Sequence, residues 1–371
     1  MGRTIRNSPV NSFRSCIPSA SDAADVQSES LKPNPCRPMD GRNDSPFPAQ
    51  SQAAESKTLM DTTGNPQPVR LARHAMATRF EWVLWGQAPE RLRAAGEEAL
   101  DEVDALESAL SRYRESSDIA RVNAGAAGGA VRVSPSTFRL LERARVLSEV
   151  TDGAFDITVG ALLRAWGFVG GTGSRPSPEV VRQTRDASGW HRVYLEAESF
   201  SVTFDHPGVE LDLGALGKGY ALDRALDLLT EAGVPHALLH GGTSSILTRG
   251  LAPDRRAWRV GLPGPQHSEP RTTGSAALSG APSVTQSLEL RDESLSVSAV
   301  WGKSFTEGGQ ELGHVLDPRT GEPVRRARCA AVAGPEAAVS DALSTALLVL
   351  GPEGRPLIEA NNPGYRCIHL E

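Results

Sequence analysis

HPGVELDLGALGKGYALD, residues 206–223, reads as a short strand, a glycine turn and the opening of a helix. From Val209 to Leu213 the chain alternates, with Glu210 and Asp212 on one face and Val209, Leu211 and Leu213 on the other, the period of a half-buried strand. Gly214, Gly217 and Gly219 follow, and Ala221, Leu222, Ala225, Leu226 and Leu229 then fall on one helical stripe. A strand, a glycine turn and a helix N-terminus together offer an anion bare backbone N–H groups and the positive end of the helix dipole. Lys218 adds a full positive charge, and Asp212 a carboxylate able to bind a metal or accept a hydrogen bond from a ligand. The spacing G-x-x-G-x-G is not the dinucleotide fingerprint. Gly219 and Tyr220, not Ser or Thr, follow the lysine, so this is not a P-loop either. Taken alone, the segment fits an ordinary strand-to-helix turn with a surface lysine slightly better than an anion site.

The 371 residues, 39% apolar and 23% charged, suffice for two domains or one large one with a sizeable core. A net charge of −6 argues against general nucleic-acid binding, which needs a basic face. Cys16, Cys36, Cys329 and Cys367 form neither a C-x-x-C pair nor a zinc spacing and read as free thiols, although Cys329 and Cys367 could be neighbours in a sheet. No apolar run approaches the roughly 18 residues of a membrane-spanning helix, so none is expected. The N-terminus is positively charged without an apolar core, which is no clear export or lipoprotein signal.

Residues 1–68, rich in Ser, Pro, Asn, Asp and Gln, are expected to form a disordered extension, with order beginning near Val69. Phe80–Trp85 reads as a strand. A helix runs from Pro89 to Leu110, burying Leu92, Ala95, Ala99, Val103, Leu106 and Leu110, with Glu97, Glu98, Asp101, Glu102 and Asp104 as a solvated face. SRYRESSDIARVNAG, 111–125, reads as polar turn. Another helix starts at Pro135 and ends at Thr151-Asp152-Gly153. Val193–Leu195 and Ser201–Phe204 form a hairpin. Further strands are expected at Ala237–His240, Ser245–Thr248, Trp258–Gly261, around Leu288 and Leu295, at Cys329–Ala333 and near Ile368, with a helix over Ala337–Leu350. The low-complexity stretch 262–285 reads as a flexible insertion. Strands followed by helices, twice, predict one large α+β unit.

Asp341 and Thr345 are four apart and share a helix face. Both offer oxygen to a hard cation such as Mg²⁺, which takes about six oxygen ligands at about 2.0–2.1 Å. Equally, Asp341 could cap its helix and Thr345 bond back to a carbonyl. Asp156 beside Gly153-Ala154, the pair Gly241-Gly242, and His314 before the Asp317-Pro318 turn are further candidates; each also reads as plain strand start, turn or structural histidine.

Six segments together resemble the ApbE family, the FAD:protein FMN transferases: MATRFEW at 76–82, LSRYRESSDIARVN at 110–123, TDGAFDITVGALLRAWGF at 151–168, LDLGALGKGYALDRA at 211–225, GHVLDPRTGEP at 313–323 and SDALSTALLVLG at 340–351. They follow the family's order across an ApbE-like domain over 69–371. The resemblance implies a T-fold-like α+β architecture, antiparallel sheets packed with helices, with FAD in a cleft between the layers. It implies Mg²⁺-assisted cleavage of FAD, passage of FMN to a threonine hydroxyl of an acceptor flavoprotein, and release of AMP. Its flavin contacts fall on Met76, Tyr113, Ala154, Phe155, Asp156, Asp212, Lys218, His314 and Val315. Its metal ligands fall on Asp341, Thr345 and the carbonyl of Ala215. The acceptor threonine needs a base: His314 is the candidate and Asp341 the fallback.

The chain departs from the family where Thr243 follows the paired glycines, instead of an acidic or amide residue. It departs again at Ser298-Ala299-Val300, where a Ser-Gly-Asp-like element is usual, and in the insertion at 262–285. Two alternatives stand beside transfer: an Mg²⁺-dependent FAD pyrophosphatase, since some members of the family hydrolyse FAD, and a flavin-binding protein without turnover, which the changes at Thr243 and Val300 keep open. The family is often periplasmic or membrane-anchored. Without a clear leader here, a cytoplasmic location stays open.

Overall fold

The computed structural model describes residues 6–7, 67–263, 284–300, 303–325 and 329–370. The expected extension, apart from residues 6–7 and 67–68, and positions 264–283 of the expected insertion lie outside the described residues. The edges of that insertion are ordered: Leu262, Pro263, Val284 and Thr285 belong to the paired strands Trp258–Pro263 and Val284–Leu290.

Seven strands build the central sheet: Val69–Ala75 (β1), Thr78–Trp85 (β2), His236–Gly241 (β3), Ser245–Arg249 (β4), Ser294–Ala299 (β5), Cys329–Gly334 (β6) and Arg366–Leu370 (β7). They lie side by side in chain order, every pair antiparallel. Alternation along each strand divides the core. Phe80, Trp82 and Leu84 of β2 join the helical layer, whereas Val83 and Trp85 pack with Trp258, Val260, Leu262 and Leu290 of the 258–290 hairpin. The same rule separates the thiols on neighbouring strands: Cys367 lies in the helical layer and Cys329 under the hairpin, and Cys367 is a free thiol.

The helical layer contains Pro89–Leu110 (α1), Asp118–Gly125 (α2), Pro135–Val150 (α3), Gly217–Glu231 (α4) and Ala337–Leu350 (α5). α1 keeps its sequence-predicted bounds because Pro89 fixes its start and its apolar stripe is unbroken. Its acidic face is more than solvated, since Arg73 of β1 reaches Glu97 at 2.9 Å, Asp104 at 2.8 Å, and Asp101. The stretch 111–125 is not all turn: Ser117 caps α2 by accepting from Ala120 N–H at 3.0 Å. Only Ile119 and Val122 of α2 are buried, too few apolar positions to show a helical period. No helix among the described residues is long and apolar enough to cross a membrane. The architecture is α+β.

Candidate active site

The segment 209–213 keeps the burial its alternation predicts. Val209, Leu211 and Leu213 are buried, and Glu210 and Asp212 half-buried. It is nonetheless not a strand. Among the described residues its only ladder contact is an isolated bridge from Glu210 to Val159. The place of a neighbouring strand is taken by the amide of Asn123, which donates to Leu211 O at 3.0 Å and accepts from Leu211 N–H at 2.8 Å. Asp212 N–H donates to Ile157 O at 2.7 Å, and Gly160 N–H to Glu210 O at 2.9 Å. Gly160 is required there, since a Cβ would stand 2.5 Å from that carbonyl.

The two acids of this segment face one buried cation. Arg112, its side chain 6% exposed, donates to Asp212 Oδ2 at 2.5 Å and to Glu210 Oε1 at 2.7 Å. Arg164 also pairs with Glu210, with Nε at 3.1 Å from Oε2. The second Asp212 oxygen accepts from Gly214 N–H at 2.8 Å. Asp212 is therefore held on both oxygens, and its guanidinium partner keeps charge in the site balanced. Sequence reasoning missed Arg112. Its only signal is a lone arginine after a helix end, while its partners lie about a hundred residues on. A cavity of about 430 Å³ lies at the Glu210 end of the segment, flanked by Asn123, Arg164, Thr184 and Gly208; neither Asp341 nor His314 lines it.

Past Asp212 the chain turns at Gly214-Ala215-Leu216 into α4. Lys218 folds back on that turn, its Nζ 3.2 Å from Gly214 O. α4 and the start of α5 touch backbone to backbone. A Cβ on Gly219 would lie 2.2 Å from Ala337 O, so only glycine fits. Glu336 gives α5 no side-chain cap. Asp223 of α4 does so instead, accepting from Ala337 N–H at 2.7 Å and Ala338 N–H at 2.8 Å. Burial pushes the Asp223 carboxyl up to about 7, against the pull of those two donors.

This contact carries Asp341 to the glycine turn. Asp341 is 5% exposed. It does not cap its own helix. Its Oδ2 accepts from Gly219 N–H at 2.9 Å and its Oδ1 from Ser245 Oγ at 2.6 Å. Thr345 Oγ1 donates back to Asp341 O at 3.2 Å, as one reading of the sequence expected, and also lies 3.0 Å from Ser298 Oγ. Among the described residues no group of three or more His, Cys, Asp or Glu is arranged to hold a metal. The Asp341–Thr345 set needs only one acid. Among those residues the Asp341 carboxylate has neutral donors and no cationic partner. A buried carboxylate without a counter-charge is costly. Beside it stands a hydroxyl, and Ala215 offers a carbonyl in the turn four residues before Gly219. All are oxygen donors, so the residues fit a hard divalent cation.

His314 follows the strand Gln310–Gly313 and is half-buried. Its Nδ1 lies 3.2 Å from Lys303 O. A carbonyl can only accept, so Nδ1 carries the proton and the neutral ring has its lone pair on Nε2. Burial holds the imidazole below its ordinary pKa against the hydrogen bond to the Lys303 carbonyl; the charges of Lys303 and Lys218 also lower it, and Asp212 opposes them. Phe168 meets the ring edge-on at 6.4 Å.

The remaining candidates are placed differently. Met76 and Ala77 form the two-residue β1–β2 turn at φ 50° and 59°, the left-handed pair such a turn demands. Met76 N–H donates to Glu107 Oε1 at 2.9 Å. Tyr113 is 68% exposed, just past the end of α1. Ala154 and Phe155 are buried in the helical core, so a ligand could reach their backbone rather than their side chains. Asp156 accepts from Thr158 N–H at 2.8 Å, and burial raises its pKa. Val315 packs at the edge of the helical core, and its carbonyl accepts from Val324 N–H at 2.9 Å.

A family model described as the ApbE family matches residues 76–369. The FAD:protein FMN transferase of Treponema pallidum (strain Nichols) is 30% identical over 292 residues, 75% of this chain and 77% of that protein. The FAD:protein FMN transferase of Escherichia coli (strain K12) is 27% identical over 320 residues, 84% of each. Among solved structures, an ApbE protein from Thermotoga maritima superposes with a TM-score of 0.72 at 27% identity, covering 82% of this chain and 96% of that one. The apo flavinyl transferase ApbE of Pseudomonas stutzeri gives 0.68 at 27% identity, covering 83% and 96%.

Proposed function

This chain belongs to the ApbE family, and we propose that it passes the FMN half of FAD to a threonine hydroxyl of a partner flavoprotein, with Mg²⁺ bound and AMP released. The observation that carries the proposal is the 2.9 Å hydrogen bond from Gly219 N–H to Asp341 Oδ2. It ties the glycine turn, suited to a diphosphate, to the acid–hydroxyl pair suited to that diphosphate's cation. Relatives along most of the chain's length carry the name of this activity.

Phosphoryl-type transfer asks the protein for placement and charge neutralisation rather than covalent chemistry. Asp341, Thr345 and the Ala215 carbonyl would hold Mg²⁺, which when bound offsets negative charge on the diphosphate oxygens. Backbone N–H groups of 214–219 and Lys218 share that charge. Arg112 keeps Asp212 fixed as an acceptor for flavin N–H or hydroxyl groups, and Tyr113 and Met76 offer apolar surface to a ring. Nε2 of His314, unprotonated near neutral pH, takes the proton of the incoming threonine hydroxyl.

The test is to incubate the protein with FAD, Mg²⁺ and an acceptor bearing an Asp-x-x-x-Thr-like motif. The expected result is covalent fluorescent FMN on the acceptor with an equal amount of AMP, abolished by chelation. AMP with free FMN would replace transfer by hydrolysis. Neither product would leave a flavin binder.

A further inference from the structure

Ser245 is fully buried on β4 and donates its hydroxyl proton to Asp341 Oδ1 at 2.6 Å. Ser244 Oγ lies 3.3 Å behind it; with the Ser245 proton committed to the carboxylate, Ser244 is the donor of that pair. Gly219 N–H, from a different element, holds the other Asp341 oxygen at 2.9 Å. With one donor on each oxygen, the carboxylate cannot turn about its Cβ–Cγ bond without breaking a hydrogen bond. Each oxygen still has a lone pair left, since an ionised carboxylate offers about four acceptor sites.

We infer that Ser245 is a positioning residue of the cation site: its hydroxyl fixes the plane of the Asp341 carboxylate so that the unused lone pairs are presented to a divalent cation. The inference rests on the proposed Mg²⁺ role of Asp341 and deepens it. A neighbour supplies the contrast. Ser296 of β5 lies directly opposite Ser245 in register and is equally buried. Residues paired this way point to the same face of a sheet. Yet the Ser296 hydroxyl has no hydrogen-bond partner among the described residues. Both are small buried hydroxyls on one face, and only Ser245 touches the carboxylate.

The experiment titrates Mg²⁺ alone into the full chain, without FAD, and follows the rise in thermal unfolding temperature. Groups that orient a metal ligand change affinity by about 10–100-fold when removed. Ser245→Ala is expected to weaken Mg²⁺ binding by that factor and to raise the Mg²⁺ concentration needed for half-maximal AMP release equally, with kcat recovered at saturating Mg²⁺. Ser296→Ala is expected to bind Mg²⁺ as the wild type does. Should the alanine variant at 245 not fold, Ser245→Cys, similar in size and a weak donor, carries the same expectation. The inference is overturned if the 245 variant binds Mg²⁺ as tightly as wild type while Asp341→Ala loses binding. It is also overturned if Ser296→Ala weakens binding as much as the 245 variant. A wild type that binds no better than Asp341→Ala would bring down the Mg²⁺ reading itself, and this inference with it.

Discussion

Strand β5 reads Ser294-Leu-Ser-Val-Ser-Ala299, and its two faces do different jobs. Leu295 and Val297 pack into a dry layer with Trp258, Val260 and Leu290. Ser294, Ser296 and Ser298 face the other way, where α5 carries Ser340, Asp341, Ser344 and Thr345. Ser294 and Ser340 hydroxyls lie 2.7 Å apart, Ser298 and Ser344 2.8 Å, and Ser298 and Thr345 3.0 Å. Alternation of this kind usually marks a strand with one face in water. Here Ser294 and Ser296 are 0% exposed and Leu295 is too. Burying hydroxyls gains less than burying hydrocarbon, so the serine face is the poorer choice for stability alone. Apolar contact on one face of β5 packs it against the hairpin, while hydroxyls on its other face meet those of α5, the helix that carries Asp341.

The strongest challenge to that division is Asp341→Ala. Turnover should fall on the order of 10³-fold, the scale of losing a preorganised charge-stabilising group. The unfolding temperature should hold or rise, because a buried carboxylate without a counter-charge is removed. AMP release and thermal melts on one preparation check both, and retained activity would break the comparison. The converse substitution is Trp258→Ala in the dry layer, where the indole is 2% exposed and donates to Arg249 O at 3.2 Å. Stability should drop by about 3–5 kcal/mol, while Mg²⁺ affinity and turnover per folded molecule stay at wild-type values. Denaturant unfolding paired with an Mg²⁺ titration reads the two effects apart.

How far the sequence shows this arrangement depends on how local each cause is. α1, α3 and α5 are legible because proline starts or unbroken apolar periods lie within the helices themselves. The pairing of Asp341 with Thr345 is legible for the same reason, being one helical turn. Segment 209–213 shows its alternation but not its partner, because a side-chain amide at Asn123 stands where a strand is expected. Arg112 and Ser245 are illegible: their partners lie 100 and 96 residues away in sequence, and a lone arginine or serine has no periodic signature. Asp223 is hidden too, since it caps a helix other than its own.

Asp223, half-buried, also sharpens the comparison, as a second carboxylate between α4 and α5. Its folded-state pKa of about 7 lies above the ordinary carboxylate value near 3.9. Between those limits the folded chain binds the proton that the unfolded chain has lost. Stability therefore falls as pH rises from about 4 to about 7 and is level above, with a slope of at most about 1.36 kcal/mol per pH unit from this one proton. Melting temperature against pH should show the decline, and Asp223→Asn should remove it. His314 gives the parallel test for activity. Its pKa is lowered by burial, so kcat/KM should rise with pH through a midpoint below that of an ordinary imidazole. His314→Gln should erase that limb and, by the same linkage, remove from the melting curve the rise of stability with pH that a lowered imidazole pKa contributes.

The smallest effect separates serines within the polar layer. Ser294 donates to Gly334 O at 2.8 Å and meets Ser340 Oγ at 2.7 Å, at the end of β5 away from Ser298 and Thr345. Its bonds satisfy a neighbouring strand and the first turn of α5, not the Asp341 carboxylate. Ser294→Ala should cost about 1 kcal/mol, the net worth of an ordinary hydrogen bond, with part regained because the Gly334 carbonyl keeps its ladder partner in the β5–β6 pairing. Mg²⁺ affinity should not change, since neither Asp341 oxygen loses a donor. A urea melt and an Mg²⁺ titration suffice. If this variant weakened the cation as Ser245→Ala does, the hydroxyl layer would act as one cooperative network, and no single serine could be said to aim the carboxylate.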